Sequence, residues 1–164
     1  MEKTINIFIV EDSEIYSFAL ENSLKSIGNY RLKSFPSAEE ALQNFDLNPD
    51  LVILDYYLPG ISGLEAMKKM DSIKPGIPVI ILSVQDDIQI ALNTLESGAY
   101  EYIIKNKYAP EKLFHAINKA IQSTSLKEKN VSLKNENRMY KILFYLLGAL
   151  AMAELLYIFF SSRE

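Results

Sequence analysis

Five short apolar runs punctuate the chain, and between them lie stretches whose apolar residues recur every three or four positions. The runs are Thr4 to Val10, Tyr30 to Phe35, Leu51 to Leu54, Val79 to Leu82 and Glu101 to Ile104. A short run that stays apolar, Leu51 to Leu54 being the clearest, reads as a strand buried on both faces of a parallel sheet. The segments between have helical period: Ser13 to Ile27, Ser37 to Phe45, Gly63 to Ser72, Asp87 to Ser97, and Pro110 onwards. Their ends carry matching chemistry. Ser37 and Glu40 form a capping box, Gly28 and Gly98 stand at C′ positions, and Pro110 suits a first turn. Five strand-helix units predict an α/β fold, a doubly wound five-stranded parallel sheet with right-handed crossovers that place helices on both faces.

An open sheet of this kind binds ligands at the carboxyl ends of its strands. Two of those ends carry acids: Glu11 and Asp12 follow the first run, and Asp55 closes the third before the turn Tyr56-Tyr57-Leu58-Pro59-Gly60-Ile61-Ser62-Gly63. Three carboxylates converging on one crevice call for a cation. Taken singly, each residue has an ordinary explanation. Glu11 and Asp12 could cap the first helix, Ser83 could be a turn residue, Lys105 a surface charge and Tyr102 a half-buried strand aromatic.

Taken in order, these residues resemble the receiver domain of two-component response regulators. The resemblance rests on Glu11-Asp12 after the first strand, Asp55 with Leu58-Pro59-Gly60 and Gly63-Leu64-Glu65, Ser83 at the end of the fourth strand, and Gly98-Ala99-x-Glu101-Tyr102-Ile103-x-Lys105. It covers residues 3–124. It implies a flavodoxin-like sheet of order 2-1-3-4-5 and transfer of a phosphoryl group from a sensor histidine kinase, or a phosphotransfer protein, to Asp55. The chain would then be a phosphoacceptor, not an enzyme, acting on a downstream effector protein. By the same resemblance Asp12, Asp55 and the Tyr57 carbonyl would ligate Mg²⁺, with Glu11 nearby and bound through water. Lys105 and Ser83 would contact the phosphate, and Ser83 with Tyr102 would form the switch.

Three positions depart from the family pattern. Asn106 follows Lys105 where the family has Pro, so a trans bond is expected there and with it a different aim for Lys105. Val84 replaces a small residue beside the pocket. Tyr57 and Gln85 occupy positions that tune the lifetime of the phosphorylated state.

Composition narrows the organisation. A chain of 164 residues with 49% hydrophobic content builds one good core and an appendage. Charge is uneven: residues 1–118 carry 10 Lys and Arg against 17 Asp and Glu, whereas 119–141 carry six basic residues against two acidic. There is no Cys, which excludes disulfides, thiolate metal sites and a cysteine nucleophile. Thr4 to Val10 is too short for the apolar core of a signal peptide, so none is expected. The single His115 has no nucleophile or metal partner in the pattern and reads as structural or solvated.

Beyond the receiver-like region come a basic helical linker, residues 125–141, and an apolar segment, 142–160, with Glu154 as its one charge. A helix of that length spans about 28 Å, close to the hydrocarbon thickness. Its eleven Leu, Ile and Phe contribute about −3 to −7 kcal/mol to insertion, against roughly +2.5 to +3.5 for a central acid. A transmembrane helix is therefore expected, with the basic flank and the receiver domain cytoplasmic and a homodimer as a further expectation from Ala149-x-x-x-Ala153. The competing pattern is a seam at Leu126, Leu133, Tyr140 and Leu147, which would make the chain an unphosphorylated, receiver-like assembly module. The basic run has no helix-turn-helix pattern, and nucleic acid is not an expected partner.

Overall fold

The computed structural model describes residues 4–161, the side chains of 150, 151 and 153–161 excepted. The chain divides into two units, Met1–Gln122 and Ser123–Glu164. In the first, strands β1 (Ile5–Val10), β2 (Tyr30–Phe35), β3 (Leu51–Asp55), β4 (Val79–Ser83) and β5 (Glu101–Ile104) alternate with helices α1 (Glu14–Ile27), α2 (Ala38–Gln43), α3 (Gly63–Ile73) and α4 (Ile88–Glu96). Helix α5 (Ala109–Ser161) begins in this unit. All strand pairs are parallel, in the order β2-β1-β3-β4-β5. This is the flavodoxin-like sheet that the resemblance implies.

The apolar runs form strands because both faces of the sheet are covered. Along β3 and β4 every residue is buried, so alternation of polar and apolar residues is absent there. One core lies under α2 and α3, where Ala38, Ala41, Ala66, Met67 and Met70 meet Phe8, Val52, Leu54 and Ile81. The other lies under α1 and the start of α5, where Leu20, Leu24, Leu113 and Ile117 meet Ile7, Ile9, Ile53 and Leu82. Edge strand β2 alternates half-buried with exposed residues from Tyr30 to Ser34 and ends on buried Phe35.

Local chemistry sets the helix ends. The Ser13, Ser37, Ser62 and Asp87 side chains accept backbone N–H groups at the starts of α1 to α4. Gly98 takes φ 106° after α4, the left-handed cap expected of it. Gly28 does not: its φ of −157° is extended, and an added Cβ would lie 2.2 Å from the Tyr30 ring. Close approach of Tyr30, not a left-handed turn, is what the glycine accommodates. The helix expected from Ser37 to Phe45 stops at Gln43 and passes into a 3-10 turn, Phe45–Leu47, closed by Asn48 at φ 53°.

In the second unit the chain is helical to Ser161, and every residue from 125 to 149 is exposed. Among the described residues no helix is long and apolar enough to cross a membrane. The transmembrane helix expected over 142–160 falls largely outside the described side chains.

Ile53 is fully buried in β3 between strands β1 and β4. Ile53→Ala should cost about 2–5 kcal/mol, because the central strand is held on both sides and cannot collapse into the cavity. Urea unfolding of wild type and variant measures it, and a loss under about 1 kcal/mol would contradict this packing.

Candidate functional site

The parallel sheet brings the carboxyl ends of β1, β3, β4 and β5 to one edge. Glu11 leaves β1 with its N–H donating to the Phe35 carbonyl at 3.0 Å, which holds the strand end in register with β2. Asp12 follows and is exposed. Asp55 is the last residue of β3, paired in register with Leu82, and the next N–H, of Tyr56, donates to the Leu82 carbonyl at 2.8 Å. Carboxylate oxygens of Glu11, Asp12 and Asp55 all lie within 4.8 Å of one another. The three acids therefore converge as their places at strand ends predict.

Lys105 reaches into this cluster from just beyond β5. Its Nζ lies 2.6 Å from Asp55 Oδ2 and 2.6 Å from Glu11 Oε2, and the three side chains are only 9%, 6% and 2% exposed. The ammonium also sits 4.7 Å from the centre of the Tyr16 ring on α1. No cis peptide occurs among the described residues. The bond before Asn106 is trans, as expected, and Lys105 reaches Asp55 with it.

The electrostatics follow from burial. Desolvation pushes the Glu11 carboxyl above its ordinary value and the Asp55 charge adds to this, while Lys105 pulls the other way. For Lys105, burial opposes the charged form, but hydrogen bonds to Asp55 and Glu11 outweigh it and raise its pKa. Burial likewise raises the Tyr16 hydroxyl. The ammonium and the two buried carboxylates are one coupled unit.

The neighbouring residues frame that unit. Asp55 Oδ1 accepts the Tyr57 N–H at 3.0 Å, so the backbone at 57 is tied directly to the cluster. The Tyr57 side chain is itself exposed. Ser83, fully buried at the end of β4, accepts the Gln85 N–H at its Oγ at 3.1 Å, and its carbonyl accepts the Lys105 N–H at 2.7 Å. The Tyr102 hydroxyl donates to the Gln85 carbonyl at 3.0 Å. Val84 points outward and is exposed. His115 lies on α5 beside Phe114, away from the cluster.

Two contributors were not read from the sequence, and a third, Gly63, was read there only as part of the motif. Tyr16 faces the ammonium, and only its position one turn into α1 hints at this. Glu39, on α2, accepts the Ile61 N–H at 3.0 Å and so latches the loop after Asp55. Gly63 permits a close approach: an added Cβ would lie 2.3 Å from the Asp55 carbonyl oxygen. The Leu58-Pro59-Gly60 turn was visible, but a contact between residues 22 positions apart in sequence leaves no local pattern.

The donor set fits a hard divalent cation. Carboxylate oxygens from two strand ends are the ligands that Mg²⁺ prefers, and exposed Asp12 offers them from the solvent side.

Comparisons with known proteins agree with this architecture. The family model described as response regulator receiver domain matches residues 7–118. The C4-dicarboxylate transport transcriptional regulatory protein DctD of Rhizobium meliloti (strain 1021) is 29% identical over 135 residues, covering 82% of this chain and 29% of that protein. The transcriptional regulatory protein MalR of Bacillus subtilis (strain 168) is 33% identical over 105 residues, covering 62% of this chain and 44% of the relative. The chain thus spans less than half the length of these curated relatives. A crystal structure of a LuxR-family two-component response regulator from Aurantimonas sp. SI85-9A1 superposes with a TM-score of 0.68 at 25% identity, over 74% of this chain and 87% of that one.

Removing the ammonium tests the coupled unit. Lys105→Met should destabilise the metal-free protein by about 3–5 kcal/mol at neutral pH, because two buried carboxylates lose their counter-charge. The Glu11 pKa, already raised, should rise further. A carboxyl whose pKa is raised on folding contributes stability below its unfolded value and loses it as pH rises through the folded value. The defect should therefore be smaller at pH 4 than at pH 7, measured by urea unfolding in EDTA. A defect that does not change with pH would show that Lys105 does not compensate these acids.

Proposed function

The chain belongs to the response regulator receiver domain family, and from that membership we propose that Asp55 accepts a phosphoryl group from the phosphohistidine of a sensor histidine kinase or a phosphotransfer protein. The observation that carries this reading is the contact of Lys105 with Asp55 at the carboxyl end of β3, inside the carboxylate cluster. An Asp55 oxygen attacks phosphorus, the phosphorus–nitrogen bond breaks as the phosphorus–oxygen bond forms, and the released imidazole takes up a proton. Such transfer is mostly positioning and charge neutralisation.

Each residue has a part in that scheme. Asp12 and Asp55, with the Tyr57 carbonyl and with Glu11 nearby, are the groups that would hold Mg²⁺, and the ion would supply positive charge that offsets the repulsion between the acids and a phosphoryl group. Lys105 exchanges part of its contact with the carboxylates for a phosphoryl oxygen. Ser83 Oγ accepts from Gln85, and its own O–H, which also interacts with the Tyr102 hydroxyl, would turn to donate to the phosphate. That donation pulls on the loop of Gln85, whose carbonyl holds the Tyr102 hydroxyl. Ser83 and Tyr102 thereby convert a local charge event into a change of surface that an effector protein reads. The chain acts as a phosphoacceptor, not as an enzyme on a separate substrate.

The apolar segment 142–160 supports a C-terminal membrane tether, with the receiver domain on the cytoplasmic side. The support is sequence: one charge in 19 positions, and five basic residues from Lys127 to Lys141 before the segment against Arg163 after it.

Two measurements test these parts. Incubation with acetyl phosphate and Mg²⁺ should label the wild type, and Asp55→Asn or added EDTA should abolish labelling. Label that survives Asp55→Asn would refute the site, and no labelling of the wild type by any donor would favour an unphosphorylated assembly module. For the tether, the full chain should sediment with membranes and resist extraction by alkaline carbonate, since burial of apolar area is not screened by ions. Recovery in the supernatant without detergent would overturn it.

A further inference from the structure

The exposed residues of the second unit include Leu126, Leu133, Tyr140 and Leu147, which recur every seven positions. An isolated helix owes little of its stability in water to propensity and most to packing. A row of large apolar side chains along a helix is a face on which packing occurs, and up to Arg138 the only other large apolar residue exposed on this one is Val131. With these four residues at position d of a heptad, Ser123, Asn130, Asn137 and Phe144 fall at a. Lys127, Lys134 and Lys141 then fall at e, Lys129 and Glu136 at g, and Glu128 and Asn135 at the outward f positions.

We infer that residues 123–147 of two copies of this chain pair as a parallel, in-register, two-stranded coiled coil. The asparagines select the occupant. Asn at a is costly against Leu but hydrogen-bonds with itself across a parallel dimer in register, and it disfavours higher oligomers. Asn130 and Asn137 occupy successive a positions, so a slip by one heptad would still strand one of each pair against an unlike residue. An unrelated helix would have no reason to match them.

Charge agrees at the C-terminal end and opposes at the other. In a parallel pair each g residue faces the e residue five positions on in the second copy. Glu136 therefore meets Lys141 of the second copy twice by symmetry, whereas Lys129 meets Lys134 and repels it. The seam is tightest toward Tyr140. Its outer face is mostly polar up to Arg138, with Glu128, Ser132 and Asn135, and from there on becomes apolar, with Met139, Ile142, Tyr145 and Leu146 exposed at outward positions. The 25 positions span about 37 Å, or three and a half heptads. This pairing does not depend on phosphorylation of Asp55, and where 142–160 inserts in a membrane it applies to the part of the seam that precedes that segment, residues 123–141.

The chain contains no cysteine, so single cysteines report register directly. Leu133→Cys at d, Asn137→Cys at a and Asn135→Cys at f would each be placed in the full chain, in mild detergent, and oxidised before a non-reducing gel. A disulfide requires Cα atoms within roughly 7 Å, which a parallel seam provides between identical a or d residues and not between f residues. Dimer bands should dominate at 133 and 137 and be absent at 135. Equal yields at all three positions, or none at 133 and 137, would overturn the parallel seam. Because a cysteine in the seam can weaken it, light scattering of the unaltered chain gives a second reading. A dimer mass is expected, and a monomer at micromolar concentration overturns the proposal. Charge reversal adds direction: Glu136→Lys should reduce cross-linking at Asn137→Cys severalfold, and the further change Lys141→Glu should restore it. Failure of that rescue would count against the parallel g-to-e pairing.

Discussion

The Lys105 ammonium between Glu11 and Asp55 is the contact on which the rest of the site depends. A parallel sheet delivers its strand ends to one edge by topology alone, and here that delivery brings together acids that repel one another. Burying them uncompensated would be costly, and a lysine beyond β5 supplies the missing charge at 2.6 Å to both. The arrangement is stable without being saturated. Asp12 remains exposed, and Glu11 stays above its ordinary pKa even with the ammonium in place. In the proposed scheme a cluster so poised gains from further positive charge and yields its lysine to an incoming anion. These are the two demands that phosphoryl acceptance makes of a carboxylate.

Much of this was legible before the structure, and for a physical reason. Strands buried on both faces carry their signal in composition, so Leu51 to Leu54 and Val79 to Leu82 stand out without knowledge of their neighbours. Residues at their ends inherit a position from the topology, which is why Glu11, Asp12, Asp55, Ser83 and Lys105 were identifiable by order along the chain. What was hidden depends on tertiary contact. The Glu39 latch on Ile61, the Tyr16 ring over Lys105 and the approach of Tyr30 to Gly28 join elements that meet only once folded. Gly28 shows the limit well. A glycine after a helix suggests a left-handed cap, but an extended glycine beside an aromatic ring has the same one-letter signature. The second unit lay at the other extreme, since a seam of period seven and an all-apolar run overlap in one helix and differ only in what surrounds them.

In the proposed scheme, the attachment of α4 offers a way for a charge event at Asp55 to be felt at the surface. Of its nine residues only Thr94 is buried, and Ile88, Leu92 and Leu95 are exposed. A helix held by so little apolar area opens or shifts at low cost, unlike α3, which places Ala66, Met67 and Met70 in the core. Its leading loop is gripped from two sides. The Gln85 N–H donates to Ser83 Oγ and the Gln85 carbonyl accepts from Tyr102, so one residue joins the end of β4, β5 and the approach to α4. In the proposed scheme, a phosphate at Asp55 draws the Ser83 hydroxyl toward itself. The Gln85 hydrogen bonds must then move together or break together. A rigidly buried α4 would resist that motion, and a loop without the Tyr102 bond would absorb it locally. In that scheme the weak packing and the double grip are both needed, and they meet in the segment from Ser83 to Ser97, which Tyr102 holds from β5.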